Sequence, residues 1–408
     1  MKFEFFILLV IAARLIAELI LLSINRSYLI QRDRDLKGTD EEIDTKRMNY
    51  CLDRFSFAHW HLIFDALLLF TVLYSGFLPY FFEWFRAVFG SGVFSGASLL
   101  IAVSLLMGLL GYPWDYYHHF VLEEKYGFNK MSVGLWVKDH IKSIMLGFII
   151  GAPLVAGLLY LLENLGESWW IYGALTMIAF QFLALLFFPK IILPLFYKLQ
   201  DLPDGELKDG LGDFMRSCGF EANKMQVMDG STRSGHSNAF FTGFGKARQV
   251  VLFDTLIDQL DGRQLKAVLA HEIGHYRLGH IPKRLLFSVF TTFASFYLLS
   301  LLKEWPTFFN SFGFQVGDPV ALFLLVSLLM GEFMFWISPL GNGLSRKHEF
   351  EADAYASQQT DDPEALVEAL NILAEENLSN PFPHRLHNLF YASHPDFYER
   401  KKALLGTE

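Results

Sequence analysis

The chain has 408 residues, of which 52% are hydrophobic and only 19% charged, below the roughly 25% charged of ordinary soluble domains. This excludes a disordered chain, a collagen-like chain and a plain soluble globule. Two cysteines cannot build a disulfide scaffold, and a net charge of -9 gives nucleic acid no footing. What remains is a membrane protein.

A membrane span needs about 20 mostly apolar residues. Seven stretches qualify, at about 3–24, 60–82, 95–113, 143–163, 169–197, 285–302 and 319–340. The first is too long for a cleavable signal peptide, and Arg14 and Glu18 interrupt it one helical turn apart. These two charges either pair with each other or face a cavity. The second stretch is interrupted by Gly76 and Pro79. The fifth carries Pro189, Lys190 and Pro194 near its end, where a kink is expected.

Loop charges set the orientation. The first loop carries Arg26, Arg32, Arg34, Lys37, Lys46, Arg47 and Arg54, and the third carries Lys125, Lys130, Lys138 and Lys142. The even-numbered loops are nearly free of cations, with Arg86 in the second and Lys303 in the sixth. Because basic loops stay in the cytoplasm, the amino terminus is placed outside and the carboxyl terminus inside. Cys51 and Cys218 then lie on the cytoplasmic side as free thiols. The chain divides into 1–197 (spans one to five), 198–282 (a polar cytoplasmic region), 283–340 (spans six and seven) and 341–408 (a cytoplasmic carboxyl-terminal region).

The polar region contains LKAVLAHEIGHYRLGH, Leu265 to His280. Asp261 and Gln264 have the spacing of a capping box, and Leu265, Val268 and Leu269 recur at helical period. On that helix His271 and His275 share a face one turn apart, so both imidazoles reach one ion at about 2.0–2.1 Å. Glu272 lies beside them. This H-E-x-x-H pattern suits a zinc peptidase, in which the metal lowers the pKa of a water to about 7 and a carboxylate takes its proton. The bland alternative is a solvated helix with two histidines.

A catalytic zinc keeps three protein ligands and one open position. A third ligand following the metzincin spacing would fall on Leu278, and Gly279 and His280 are out of register. The better source is SRKHEFEADAYA, Ser345 to Ala356, which follows the seventh span and reads as helix. Glu349 can complete the shell, and Asp353, one turn on, can accept a hydrogen bond from the outer nitrogen of a ligand histidine. His348 and Glu351 compete for the ligand role but lie on other faces. KMQVMDG reads as a strand. The run Ala239 to Phe253, broken at Gly243, Gly245 and Lys246, reads as a hairpin.

HEIGH followed by SRKHEFEADAYA resembles the CAAX prenyl protease 1 family, the Ste24-type integral-membrane zinc metallopeptidases of peptidase family M48. FVLEEKYGFN (Phe120 to Asn129), SGHSNAFFTGF (Ser234 to Phe244) and SHP (Ser393 to Pro395), with Arg400 downstream, extend the resemblance over essentially the whole chain. Heat-shock-type membrane peptidases share the zinc motifs but are shorter and have fewer spans.

The resemblance implies a mainly α, polytopic membrane protein. Seven tilted helices would enclose a large water-filled chamber, with a small α+β, gluzincin-like peptidase domain on the cytoplasmic side. It implies one Zn²⁺ per chain on His271, His275 and Glu349, with Glu272 as general base. Asn238 would lie on an edge strand and bind the substrate backbone, His394 would stabilise the oxyanion, and Arg400 would lie near the substrate end. From the residues alone, Asn238 reads as a turn residue and His394 as a loop histidine.

The implied substrates are farnesylated CAAX proteins, which lose their last three residues. The expected partners are a peptide or protein and membrane lipid, with no nucleic acid, and the chain is expected to be a monomer. Compact loops and the closing LLGTE, which is no retrieval signal, favour a bacterial inner membrane over an endoplasmic-reticulum or inner nuclear membrane. In a bacterium the substrates would be other membrane-associated peptides, including damaged membrane proteins. The reading from a different class is a transporter or lipid-binding chamber with a structural metal, its path marked by Arg14, Glu18 and Glu332. Glu272 separates the two readings, since a structural site has no use for a carboxylate beside its ligands.

Overall fold

The computed structural model describes residues 3–39, 43–242 and 248–406. Among them seven helices are long and apolar enough to cross a membrane: Phe3–Asp35, Thr45–Tyr74, Val93–Tyr126, Val133–Asn164, Gly166–Phe196, His280–Lys303 and Pro319–Thr360. The expected spans fall on these helices, with one correction. The second does not run from 60 to 82. It ends at Tyr74, and a separate helix, Phe77–Phe89, follows. Gly76 sits at φ 76°, a left-handed conformation that stops an α-helix. Pro79 has no N–H to donate and is accommodated in the first turn of the new helix, where none is needed. In the fifth span the regular helix ends at Phe187 and loosens into a π-turn, Phe188–Ile192, at Pro189.

The bundle core joins Ile7, Leu73, Phe82, Leu99, Leu159 and Leu325 from five different spans and the short helix. Inside the first span the charges are matched. Arg14 contacts Glu18 at 3.2 Å and Glu332 of the last helix at 2.8 Å, and the Tyr391 hydroxyl donates to Glu18 at 3.1 Å. Arg14 therefore pairs within its own helix and across to the last one. Arg14, Glu18 and Glu332 line a cavity of about 500 Å³ together with Asp65, Ser104 and Ser327.

The last helix has 42 residues, so it is about 63 Å long, twice the roughly 30 Å of a bilayer core. It is also the most enclosed: 44% of its apolar window is buried in the protein, against 11–28% in the other six. Its final turns, which carry Glu349 and Asp353, project beyond the span and pack on the polar region. The divisions drawn at 282 and 340 fall inside continuous helices, so span and site are rigidly joined.

The polar region is a small α+β layer. Strands β1 (Leu199–Asp201), β2 (Lys224–Met228), β3 (Ala239–Thr242) and β4 (Gln249–Phe253) form one sheet in the order β1-β2-β4-β3. The pairing of β2 with β4 is parallel, and the other two pairings are antiparallel. The expected strand and hairpin are β2 and β3–β4. The hairpin's Gly243, Gly245 and Lys246, with Phe244 of the SGHSNAFFTGF phrase, lie outside the described residues, as do Thr407 and Glu408. Both cysteines are free and buried.

Candidate metal centre

The helix Gly262–Arg277 opens with the expected capping box. Asp261 accepts from the Gln264 amide at 2.8 Å, and the Gln264 side chain accepts from the Asp261 amide at 3.1 Å. Leu265, Leu269 and Ile273 are buried in a core with Phe214 of the helix Glu206–Ser217 and with Val250 and Leu252 of β4. That apolar face fixes the helix rotation and turns His271 and His275 toward the last helix. Gly274 allows the two helices to approach closely. A Cβ there would lie 3.1 Å from the Cα and the carbonyl oxygen of Ala352.

This approach assembles three donors. His271 Nε2 and His275 Nε2 are 3.2 Å apart, and Glu349 lies 3.4 Å from the first and 3.3 Å from the second. One ligand atom from each of the three falls within 4.8 Å of the others. Glu349 is 2% exposed, and its Oε2 has no hydrogen-bond partner among the described residues. A buried carboxylate oxygen left without a donor is costly unless a cation meets it.

Behind the triad, Asp353 Oδ1 lies 2.8 Å from His271 Nδ1, the contact expected of it. Arg400 forks onto both oxygens of Asp353, from Nε at 2.8 Å and from Nη2 at 2.5 Å. Burial opposes charge on His271, but the hydrogen bond to Asp353 and the nearby Glu349 carboxylate outweigh it and lift the imidazole to about 9. Glu272 has no hydrogen-bond partner among the described residues, and burial beside the site raises its carboxyl pKa. This is the direction that suits a general base working near neutral pH.

His394 reaches the same place from the carboxyl-terminal region: its Nε2 is 3.5 Å from Glu349 Oε1 and its side chain is 65% exposed. Asn238 lies at the head of edge strand β3. It is exposed, its backbone oxygen accepts from the Phe253 amide at 3.1 Å, and its side chain accepts from Ala239 N at 2.8 Å. Arg400 differs from expectation. Its guanidinium is buried and committed to Asp353, because the helix Phe397–Leu405, capped by Asp396 and Glu399, turns it inward.

Sequence reasoning missed two groups. His236 contacts Glu123 at 3.2 Å and Asn377 at 2.8 Å and stacks on Phe128 at 4.2 Å, and the Tyr50 hydroxyl donates to Glu123 at 2.7 Å. Burial lowers the His236 pKa, but Glu123 and Asn377 raise it further than burial lowers it. The phrases holding His236 and Glu123 carry the family resemblance, but nothing in the sequence assigns these two residues a role. His280 was set aside as out of register, yet it contacts His275, Nδ1 to Nδ1, at 2.9 Å. His348 and Glu351, the competitors for the third ligand, gather around His280 instead.

Comparison with known proteins identifies the family. Residues 201–408 match peptidase family M48, and residues 35–198 match the CAAX prenyl protease N-terminal region, described as five membrane helices. The chain is similar to CAAX prenyl protease 1 of Saccharomyces cerevisiae, at 36% identity with 85% of this chain and 77% of that protein covered. It is 30% identical to the CAAX prenyl protease 1 homolog of Homo sapiens, covering 93% of this chain and 92% of that one. The crystal structure of S. mikatae Ste24p matches with a TM-score of 0.87 at 32% identity, over 97% of this chain and 98% of that one.

Proposed function

Because this chain belongs to the CAAX prenyl protease 1 family, the Ste24-type membrane metalloproteases of peptidase family M48, we propose that it hydrolyses peptide bonds at the centre built by His271, His275 and Glu349. The observation that carries this reading is the meeting of Glu349 with both HEIGH imidazoles at 3.3–3.4 Å, from the cytoplasmic-end extension of the last span's own helix, far along the chain from the HEIGH helix. Two imidazoles and a carboxylate with a fourth position left open fit a catalytic Zn²⁺, one per chain. Bound there, the ion would supply Lewis acidity that polarises a scissile carbonyl and makes water nucleophilic near neutral pH.

The chain's own residues do the rest. Glu272 takes the proton of the attacking water and passes it to the leaving amine. His394 donates a hydrogen bond to the oxygen that becomes negative in the transition state. Asp353 accepts from His271 Nδ1 and keeps Nε2 toward the metal, and Arg400 holds Asp353 in turn. Arg400 is thus a positioning residue in place of the substrate contact first expected. Asn238, at the exposed head of edge strand β3, offers pairing to an extended peptide.

The cavity that Arg14, Glu18 and Glu332 line, with charged and apolar side chains together, supports an aqueous chamber among the spans. The transporter reading fails to account for Glu272 beside two ligands. Cation-rich first and third loops support an exterior amino terminus and a cytoplasmic site. The relatives' names favour prenylated CAAX tails as substrates. In a membrane without a prenylation pathway, other membrane-associated peptides would take their place.

The test is Glu272→Gln in the purified protein. It should keep the metal at His271, His275 and Glu349 and lose cleavage by about 10²–10⁴-fold. Full cleavage would contradict the mechanism. A prenylated and an unprenylated version of one CAAX peptide, with products read by mass, separate the substrate classes.

A further inference from the structure

Next to the catalytic triad stands a second group with the same donor set. The metal helix ends at Arg277, and Gly279, at φ 70°, turns the chain directly into the sixth span. His280 thereby becomes the first residue of that span and faces the last helix. There His348 and Glu351 lie three residues apart on one face. One ring nitrogen each from His280 and His348 and one oxygen of Glu351 fall within 4.8 Å of one another.

The two rings are 1% and 4% exposed and stack at 4.1 Å between centroids. Glu351 Oε2 is 2.9 Å from His280 Nε2, and the Glu351 side chain is 37% exposed, which opens the group to solvent. Its other oxygen lies 3.8 Å from the Lys347 ammonium. His348 Nδ1 is buried and has no hydrogen-bond partner among the described residues. An orphaned buried nitrogen in a nearly closed cluster of two imidazoles and a carboxylate calls for an occupant.

We propose that His280, His348 and Glu351 form a second site for a divalent transition-metal ion, separate from the catalytic one. Imidazole ligands select Zn²⁺, Co²⁺ or Cu²⁺ over Ca²⁺ and Mg²⁺. The second site is the weaker of the two for two reasons. Lys347 competes for Glu351, and the site touches the first through His275 and His280, whose facing nitrogens at 2.9 Å leave room for one hydrogen between them.

The experiment strips the full-length purified protein of metal and titrates it with Co²⁺, reading bound equivalents by equilibrium dialysis and the ligand-field spectrum. The wild type should take up two equivalents, one tight and one weaker. His348→Phe, which keeps a stacked ring and removes both nitrogens, and Glu351→Gln should each take up one. Glu349→Ala should lose the tight equivalent and keep the weaker. Saturation of the wild type at one equivalent overturns the proposal, and so does retention of both equivalents by His348→Phe and Glu351→Gln. Should Glu349→Ala keep the tight equivalent while the other variants behave as stated, the catalytic assignment fails and the second site stands.

Discussion

The membrane bundle and the polar layer are held by different kinds of contact. Six of the seven spans keep at most 28% of their apolar windows inside the protein and leave the rest to lipid. Residues such as Leu286, at 73% exposed, need only be apolar. In the polar layer the outcome rests on a few atoms: Arg400 on Asp353, Asp353 on His271, and Gly274 against Ala352. Lipid tails pack as well against one aliphatic side chain as another, whereas a buried carboxylate has one guanidinium to meet it. Small substitutions should therefore be felt in the layer and absorbed in the bundle.

The sharpest way to break that contrast is Asp353→Asn. It keeps the shape but removes the charge that Arg400 and His271 share, and metal affinity should fall about 10–100-fold, read by competition with a chelator. Unchanged affinity would mean that the residues behind the ligands are idle. Gly274→Ala comes next. One methyl group forces the metal helix off Ala352 and should cost about 1–3 kcal/mol. Leu286→Val, facing lipid, should stay within about 0.5 kcal/mol. Chemical or thermal unfolding in the same detergent compares the two, and equal effects would erase the distinction.

The smallest effect joins the two regions. His236, from the layer, meets Glu123 at the end of the third span, and its pKa is raised in the folded protein. A raised histidine contributes stability fully below its unfolded value, near 6.5, and loses it as pH climbs through the folded value. The melting-temperature gap between wild type and His236→Gln should therefore be wider at pH 6 than at pH 8. An equal gap at both would mean that the contact carries no ionic part.

What could be read from the chain follows the same division. Spans are local and need only composition, so seven were found; the error at the second came where Gly76 takes a backbone angle that hydropathy does not report. The capping box and the His271–His275 pair are also local, as is the one-turn spacing of Glu349 and Asp353. That Glu349 would face those imidazoles followed from chemistry, since a catalytic metal needs a third ligand. No such demand pointed from Arg400 to Asp353, 47 residues away, or joined His280 to His348 and Glu351. Those contacts depend on how helices far apart in the chain pack together, which no spacing rule encodes.

The central claim is that one ion is gripped by residues from two distant helices. Zinc-edge anomalous diffraction on crystals of the protein loaded with one equivalent addresses it directly. The peak should lie about 2.0–2.2 Å from His271 Nε2, His275 Nε2 and a Glu349 oxygen. A peak away from Glu349, or one held by four protein ligands with no open position, would contradict the account.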